Sequence, residues 1–290
     1  MTALVSCFAR CYHYKNNNIR IFSDSFAEVI LGDLEYNAIA NNMSDGISFF
    51  NPSFVGSRDE ALRWIVDNRL SASVLGRSAF CETSLFNALK FGCKQYLIFA
   101  SGYDTFAYRN NISNLKVFEI DKKEMIDDKI KRLNEKNVDI TNVNYISCDF
   151  TNKNWINNIL NSSYNINEIS FCSLLGISYY LNKEEFINML KNISNIIKSG
   201  SSIVFDYPSY NESASTKSSE ILARGAGEEM KSKYTYEELE YELSKNGLLI
   251  YEHLNNFEMT NNYFSEYNKS NSGRKIVAPE GVCYILAVKE

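Results

Sequence analysis

After residue 94, five short apolar runs each end in side chains able to hold or turn over a ligand. The first run leads into Ser101-Gly102-Tyr103-Asp104, where a glycine lets the backbone approach a ligand closely. A plain strand-to-helix turn would read the same way, and the Gly-x-Gly-x-x-Gly pattern of dinucleotide enzymes is absent. The second run ends in Glu119-Ile120-Asp121. Asp121 lies nineteen residues after Gly102, close to the separation at which doubly wound folds hold a ribose hydroxyl pair with an acid. A carboxylate accepts both hydroxyl hydrogens and repels a 2′-phosphate. The same residue could equally cap a helix starting at Lys122. The third run ends in Cys148-Asp149-Phe150, where Asp149 could take an adenine amine and Phe150 pack on the ring, or Asp149 could cap a helix near Asn154. Gly176-Ile177-Ser178-Tyr179-Tyr180-Leu181 and Asp206-Tyr207 end the fourth and fifth. Ligands of open α/β sheets sit outside the carboxyl ends of the strands, so all five ends would meet at one crevice.

Other chemistries are poorly served. The two histidines, His13 and His253, are far apart, which argues against zinc hydrolases, histidine triads and di-iron sites, and no metal is expected. Seven cysteines form no Cys-x-x-Cys pair, and several sit in apolar runs, as Cys148 does after Tyr145-Ile146-Ser147. They read as reduced core residues of a cytoplasmic protein. A net charge of −5 argues against nucleic acid as a partner. The longest apolar runs, such as Tyr96-Leu97-Ile98-Phe99-Ala100, are strand-length, so no membrane span is expected. Residues 1–10 show no basic segment ahead of their apolar residues, so no secretory signal is read. With 290 residues, 45% of them hydrophobic, the chain can bury a sizeable core.

The elements that must position the strand ends follow from periodicity. Segments 1–15, 34–50, 57–71 and 73–91 carry helical apolar spacing. Ser57-Arg58-Asp59-Glu60 opens one of them as a capping box, and Gly92 closes the last. Strands are predicted at 95–100, 115–120, 143–148, 169–175 and 202–207, with helices at 122–137 and 183–198 between them. This alternation implies parallel βαβ units. A helix at 235–246 and closing strands at 248–253 and 282–289 complete the pattern. Residues 209–233 read as a polar excursion, and 261–275 as irregular.

These residues resemble a known family. Gly102-Tyr103-Asp104-Thr105-Phe106-Ala107-Tyr108-Arg109 is similar to the Gly-x-Asp-Thr-x-x-x-Arg signature of leucine carboxyl methyltransferase-like proteins. That group includes protein phosphatase 2A carboxyl methyltransferases and bacterial polyketide-type O-methyltransferases, class I enzymes that use S-adenosylmethionine. Arg77-Ser78, Glu119-Ile120-Asp121, Asp149-Phe150, Tyr180-Leu181 and Phe205-Asp206-Tyr207 fall in register, and Asp24-Ser25-Phe26-Ala27 resembles a family Asp-Pro-Leu-Ala stretch. The chain departs from the pattern at Ala100 (a family glycine), at Leu175 (a family glutamate), and at Ala79, Glu82 and Thr83 in the helix motif.

The resemblance implies a Rossmann-like α/β sheet of seven strands with the last antiparallel. It also implies an N-terminal helical cap (1–94) on an S-adenosylmethionine-binding domain (95–290) with an insertion near 209–233, as one compact unit. Arg77 would pair with the cofactor carboxylate, Asp121 hold the ribose, and Asp149 and Phe150 the adenine. Ala100, Ser101, Gly102, Glu119 and Leu175 complete the cofactor-facing set. Asp104 and Arg109 would form an internal polar pair. Tyr180, Asp206, Tyr207 and Tyr210 are the acceptor-side candidates, and His253 could approach them. The expected reaction is methyl transfer to a carboxylate or hydroxyl of a small molecule. The alternatives are a protein C-terminal carboxyl methyltransferase and a ligand binder without turnover.

Overall fold

The computed structural model describes residues 2–110, 112–211 and 229–290. Most of the expected excursion, residues 212–228, lies outside the described residues. The chain opens with helices α1 (Thr2–Asn16), α2 (Ala27–Asp45), α3 (Ile47–Phe50), α4 (Arg58–Ile65) and α5 (Ser71–Lys90). α2 begins at residue 27, not 34. Asp24 Oδ1 accepts from the N–H groups of Phe26 and Ala27 at 3.1 and 3.0 Å and so starts the helix early. The chain then turns at Gly32, whose φ of 66° only glycine adopts freely. The Ser57–Glu60 capping box opens α4 as expected. No loop separates α4 from α5; a π-helical turn, Val66–Leu70, joins them. α5 closes in a Schellman pattern, with Cys93 N–H donating to Ala88 O and Gly92 N–H to Leu89 O, both at 3.1 Å.

Seven strands follow: β1 (Gln95–Phe99), β2 (Lys116–Asp121), β3 (Val143–Ser147), β4 (Ser170–Leu174), β5 (Ser202–Pro208), β6 (Leu248–Leu254) and β7 (Val282–Lys289). Their order is β3-β2-β1-β4-β5-β7-β6. β1 to β5 are parallel, and β7 runs antiparallel between β5 and β6. This is the seven-stranded arrangement, with β7 antiparallel, that the resemblance implies. The order reverses between β1 and β4, so the crevice opens outside their carboxyl ends.

The remaining helices are α6 (Phe106–Arg109), α7 (Lys123–Glu135), α8 (Ile156–Leu160), α9 (Lys183–Ile196), α10 (Tyr236–Lys245), α11 (Asn256–Tyr263) and α12 (Ser265–Ser270). The last two correct the irregular reading of 261–275. Asn255 caps α11, accepting from Phe257 and Glu258 N–H, and the buried Met259, Phe264 and Tyr267 supply the apolar face. Polar composition hid that face. The sheet is covered on both sides. Phe186, Leu190 and Ile193 of α9 and Leu239 and Leu243 of α10 pack on one face, with Phe99, Phe118 and Phe205 of the sheet. Leu75, Phe80 and Leu85 of α5, with Met259 and Tyr267, pack on the other.

Candidate active site

The turn after β1 is held from β2. Gly102 N–H donates to Asp121 Oδ2 and Lys122 N–H to Oδ1, both at 2.7 Å. Each carboxylate oxygen therefore keeps a lone pair for a further donor. Burial raises the Asp121 pKa. Ala100 has φ 51° and Gly102 φ 48°, so two residues of this turn are left-handed, one of them carrying a Cβ. Helix α1 lies against the same turn: a Cβ on Gly102 would stand 3.3 Å from Ala3 Cβ. Between them, Ser101 is buried and its Oγ has no hydrogen-bond partner, a donor left for a ligand.

The turn after β4 is built around Asp206 at the end of β5. This carboxylate is fully buried. Its Oδ1 accepts from Gly176 N–H at 2.6 Å and its Oδ2 from Tyr179 Oη at 3.0 Å. Arg77 Nη1 lies 3.6 Å from Oδ2. The guanidinium occupies the space above Gly176: a Cβ there would be 2.5 Å from Nη1, and φ is +68°. Arg77 Nη2 also donates to Ser6 Oγ of α1 at 3.2 Å. A cation from α5 thus stands over the bare backbone that follows β4, and an orphan hydroxyl follows β1, the two strands between which the order reverses.

The family model for leucine carboxyl methyltransferase matches residues 3–194. The chain belongs to that family. YktD of Bacillus subtilis (strain 168), which carries the name of an S-adenosyl-L-methionine-dependent methyltransferase, is 35% identical over 303 aligned positions, covering 100% of this chain and 98% of that one. A DUF574 family protein from Streptomyces avermitilis shares the fold with TM-score 0.60 at 11% identity, over 98% of this chain and 97% of its own. A Thermobifida fusca protein named for methyl transfer does so with TM-score 0.56 at 16% identity, over 87% and 94%. The protein is an S-adenosylmethionine-dependent methyltransferase.

In the methyltransferase Ala100, Ser101, Gly102 and Asp121 come together where β1 and β2 end, and Arg77 and Gly176 where β4 ends. Several expected residues are used differently. Glu119 is fully buried in an internal pair, with Lys129 Nζ donating to its Oε2 and to Asp104 O at 2.6 Å each. Burial pushes its pKa up to about 7. The pair pins α7 and the Asp104 loop to β2, while Glu119 Oε1 is buried with no hydrogen-bond partner. Leu175 is half-buried among the apolar contacts of α5. Asp149 is exposed and makes an Asx turn, accepting from Thr151 Oγ1 and N–H at 2.7 and 3.0 Å; those bonds hold its carboxyl below the usual range. It does not cap α8. Phe150 packs edge-on against Trp155, ring centres 5.2 Å apart.

On the acceptor side, Asp206 is committed to Gly176, Tyr179 and Arg77. Tyr207 is buried with its hydroxyl 3.0 Å from His253 Nε2, toward the β6 edge. Tyr180 remains half-buried at the β4 turn beside Tyr179, and the exposed Tyr210 lies beside Lys183. The expected Asp104–Arg109 pair is replaced. Arg109 binds Glu82 through both terminal nitrogens and lies 3.5 Å from Asp24, while Asp104 accepts from Phe106 N–H at 2.8 Å.

Sequence reasoning missed this network. Asp24 is fully buried and accepts from Arg10 Nε and Thr105 Oγ1, each at 2.8 Å, and Arg10 also donates to Tyr103 O. It ties α1 and the start of α2 to the loop after β1. The only available signal was Asp24 in the family-like stretch and the loss of paired acids that left Glu82.

Proposed function

We propose that the enzyme transfers the methyl group to an oxygen of a small acceptor, a carboxylate before a hydroxyl. The observation carrying this reading is that, among the described residues, both histidines and Asp206 are committed to partners inside the protein. His13 Nε2 accepts from Ile21 N–H at 3.0 Å, and burial lowers its pKa to about 4. His253 is spent on Tyr207, and Asp206 on three donors. A carboxylate acceptor is ionised at neutral pH and needs no proton removed, whereas a phenol or alcohol generally does. The bound cofactor supplies an electrophilic methyl on a sulfonium. The protein's part is then positioning and exclusion of water.

In this reading Arg77 holds the cofactor carboxylate, for which a planar guanidinium is suited. Asp121 takes the ribose hydroxyls with its unused lone pairs. Ser101 and the backbone of Ala100 and Gly102 line the cofactor, with Phe150 and Asp149 beside the adenine. Tyr180 faces the acceptor side. Helices α1 to α5 act as a cap on the domain that follows, one compact unit. Six buried thiols and the half-buried Cys283, all free, support a reducing, cytoplasmic location. Among the described residues no helix is long and apolar enough to cross a membrane.

The test is transfer of labelled methyl from S-adenosylmethionine to small carboxylic acids, phenols and a peptide ending in a free leucine carboxylate. Label released as methanol by alkali marks a methyl ester and supports the reading. Alkali-stable label on a phenol moves the acceptor to hydroxyls. Transfer to the peptide alone overturns the small-molecule assignment. Calorimetric binding of S-adenosylhomocysteine with no transfer to any acceptor favours a binder without turnover.

A further inference from the structure

We propose that Asp104 takes the ammonium group of the bound cofactor, in a small cavity walled by the chain neighbours of Arg77 and Gly176. The inference rests on the methyltransferase reading, in which Arg77 holds the cofactor carboxylate. Ammonium and carboxylate share one carbon of S-adenosylmethionine, so a partner for the ammonium must stand close to the Arg77 end of the crevice. A cavity of about 10 Å³, room for one water-sized group, has Arg10, Ser78, Glu82, Asp104, Arg109 and Leu175 among its described lining residues. Its walls are tied to the crevice. Ser78 follows Arg77 on α5, and Leu175 precedes Gly176, over which the guanidinium stands. Asp104 N–H donates to Ser101 O at 2.8 Å. Arg10 lies one turn of α1 beyond Ser6, the acceptor of Arg77 Nη2.

Asp104 is the acid with an oxygen to spare here. Its Oδ1 accepts from Phe106 N–H at 2.8 Å, and among the described residues Oδ2 has no donor. Glu82 gives both oxygens to Arg109. Asp24 is filled by Arg10, Thr105 and two backbone N–H groups, and Asp206 by Gly176 and Tyr179 beside Arg77. The Leu175 side chain offers no acceptor. The cluster is also short of positive charge. Arg10 and Arg109 face Asp24, Glu82 and Asp104, two cations against three acids, while Lys129 and Glu119 balance each other. Burial pushes Glu82 up to about 7, and the charges of Asp104 and Asp24 add to that push. An α-ammonium is largely protonated at neutral pH, so it supplies the missing charge and a hydrogen for Oδ2.

The full chain is titrated by calorimetry with S-adenosylhomocysteine, with its analogue lacking only the amino group, and with methylthioadenosine, which lacks the whole amino-acid end. We expect wild type to bind S-adenosylhomocysteine at least about tenfold more tightly than the deaminated analogue. In Asp104→Asn, which keeps the Oδ1 acceptor for Phe106 N–H, that preference should fall to about threefold or less, with methylthioadenosine bound as by wild type. A tenfold preference kept in the variant, or none in wild type, overturns the proposal. A variant that no longer binds methylthioadenosine overturns it too, since Asp104 would then be a prop of the turn. The two readings fail differently. A wild type that binds none of the three ligands fails the crevice assignment itself. Methylthioadenosine binding by wild type with a failed preference leaves that assignment standing and removes Asp104 alone.

Discussion

The β1–β2 end of the crevice and the β4–β5 end are each built on a strand-end aspartate, half-buried Asp121 and fully buried Asp206, yet they are organised in opposite ways. Asp121 accepts two backbone N–H groups and has further lone pairs open. Asp206 is enclosed by a backbone N–H, a tyrosine hydroxyl and a guanidinium, and is completely buried. The first has acceptor capacity left after folding. The second is arranged to hold the protein's own parts, Arg77 and the Gly176 turn, in the place where a ligand would meet them. Residue type at a strand end therefore does not decide role; the lone pairs left over after folding do.

The strongest way to break this contrast is Asp206→Ala. It leaves the half-buried Arg77 guanidinium without its counter-charge, and a buried N–H and hydroxyl without their acceptor, and should cost about 3 kcal/mol of stability. A thermal melt superimposing on wild type, with turnover lost, would return Asp206 to the acceptor side. Next is Asp121→Ala, expected to weaken S-adenosylhomocysteine by about tenfold or more in calorimetry while the melting temperature moves less than for Asp206→Ala. Unchanged affinity would remove the ribose from Asp121.

Two smaller effects sharpen the picture. Burial pushes Glu82 up to about 7, against the pull of Arg109. A carboxyl whose folded pKa exceeds its unfolded value holds its proton more tightly when folded, so this group's contribution to stability declines as pH rises from the unfolded pKa to about 7. The stability advantage of wild type over Glu82→Gln, from denaturant midpoints, should shrink across that window; an advantage that grows would show that the Arg109 pairing outweighs burial. Ala100→Gly should be the mildest change. It relieves a left-handed alanine, worth about 1 kcal/mol, against a comparable loss in chain entropy. The melt should stay near wild type and cofactor affinity should hold or improve. A clear loss of affinity would mean that the Ala100 methyl group itself packs on the ligand.

Much of this protein was readable from local pattern. The apolar runs from residue 95 onward determined the strands to within a residue or two, because buried parallel strands need continuous apolar side chains. Gly102 and Asp121 were legible because their spacing is set by one βαβ unit. The Ser57 and Gly92 helix ends were legible because capping is settled by neighbours in the chain. Tertiary structure alone decided what each polar residue does. Arg10 and Asp24 reach Tyr103 and Thr105 across some eighty to ninety residues of sequence, Lys129 claims Glu119, and His253 claims Tyr207 from the far edge of the sheet. A side chain's periodicity tells whether it is buried. Which partner it meets there depends on how the layers stack, and for a buried charge that partner settles whether it can still bind a ligand.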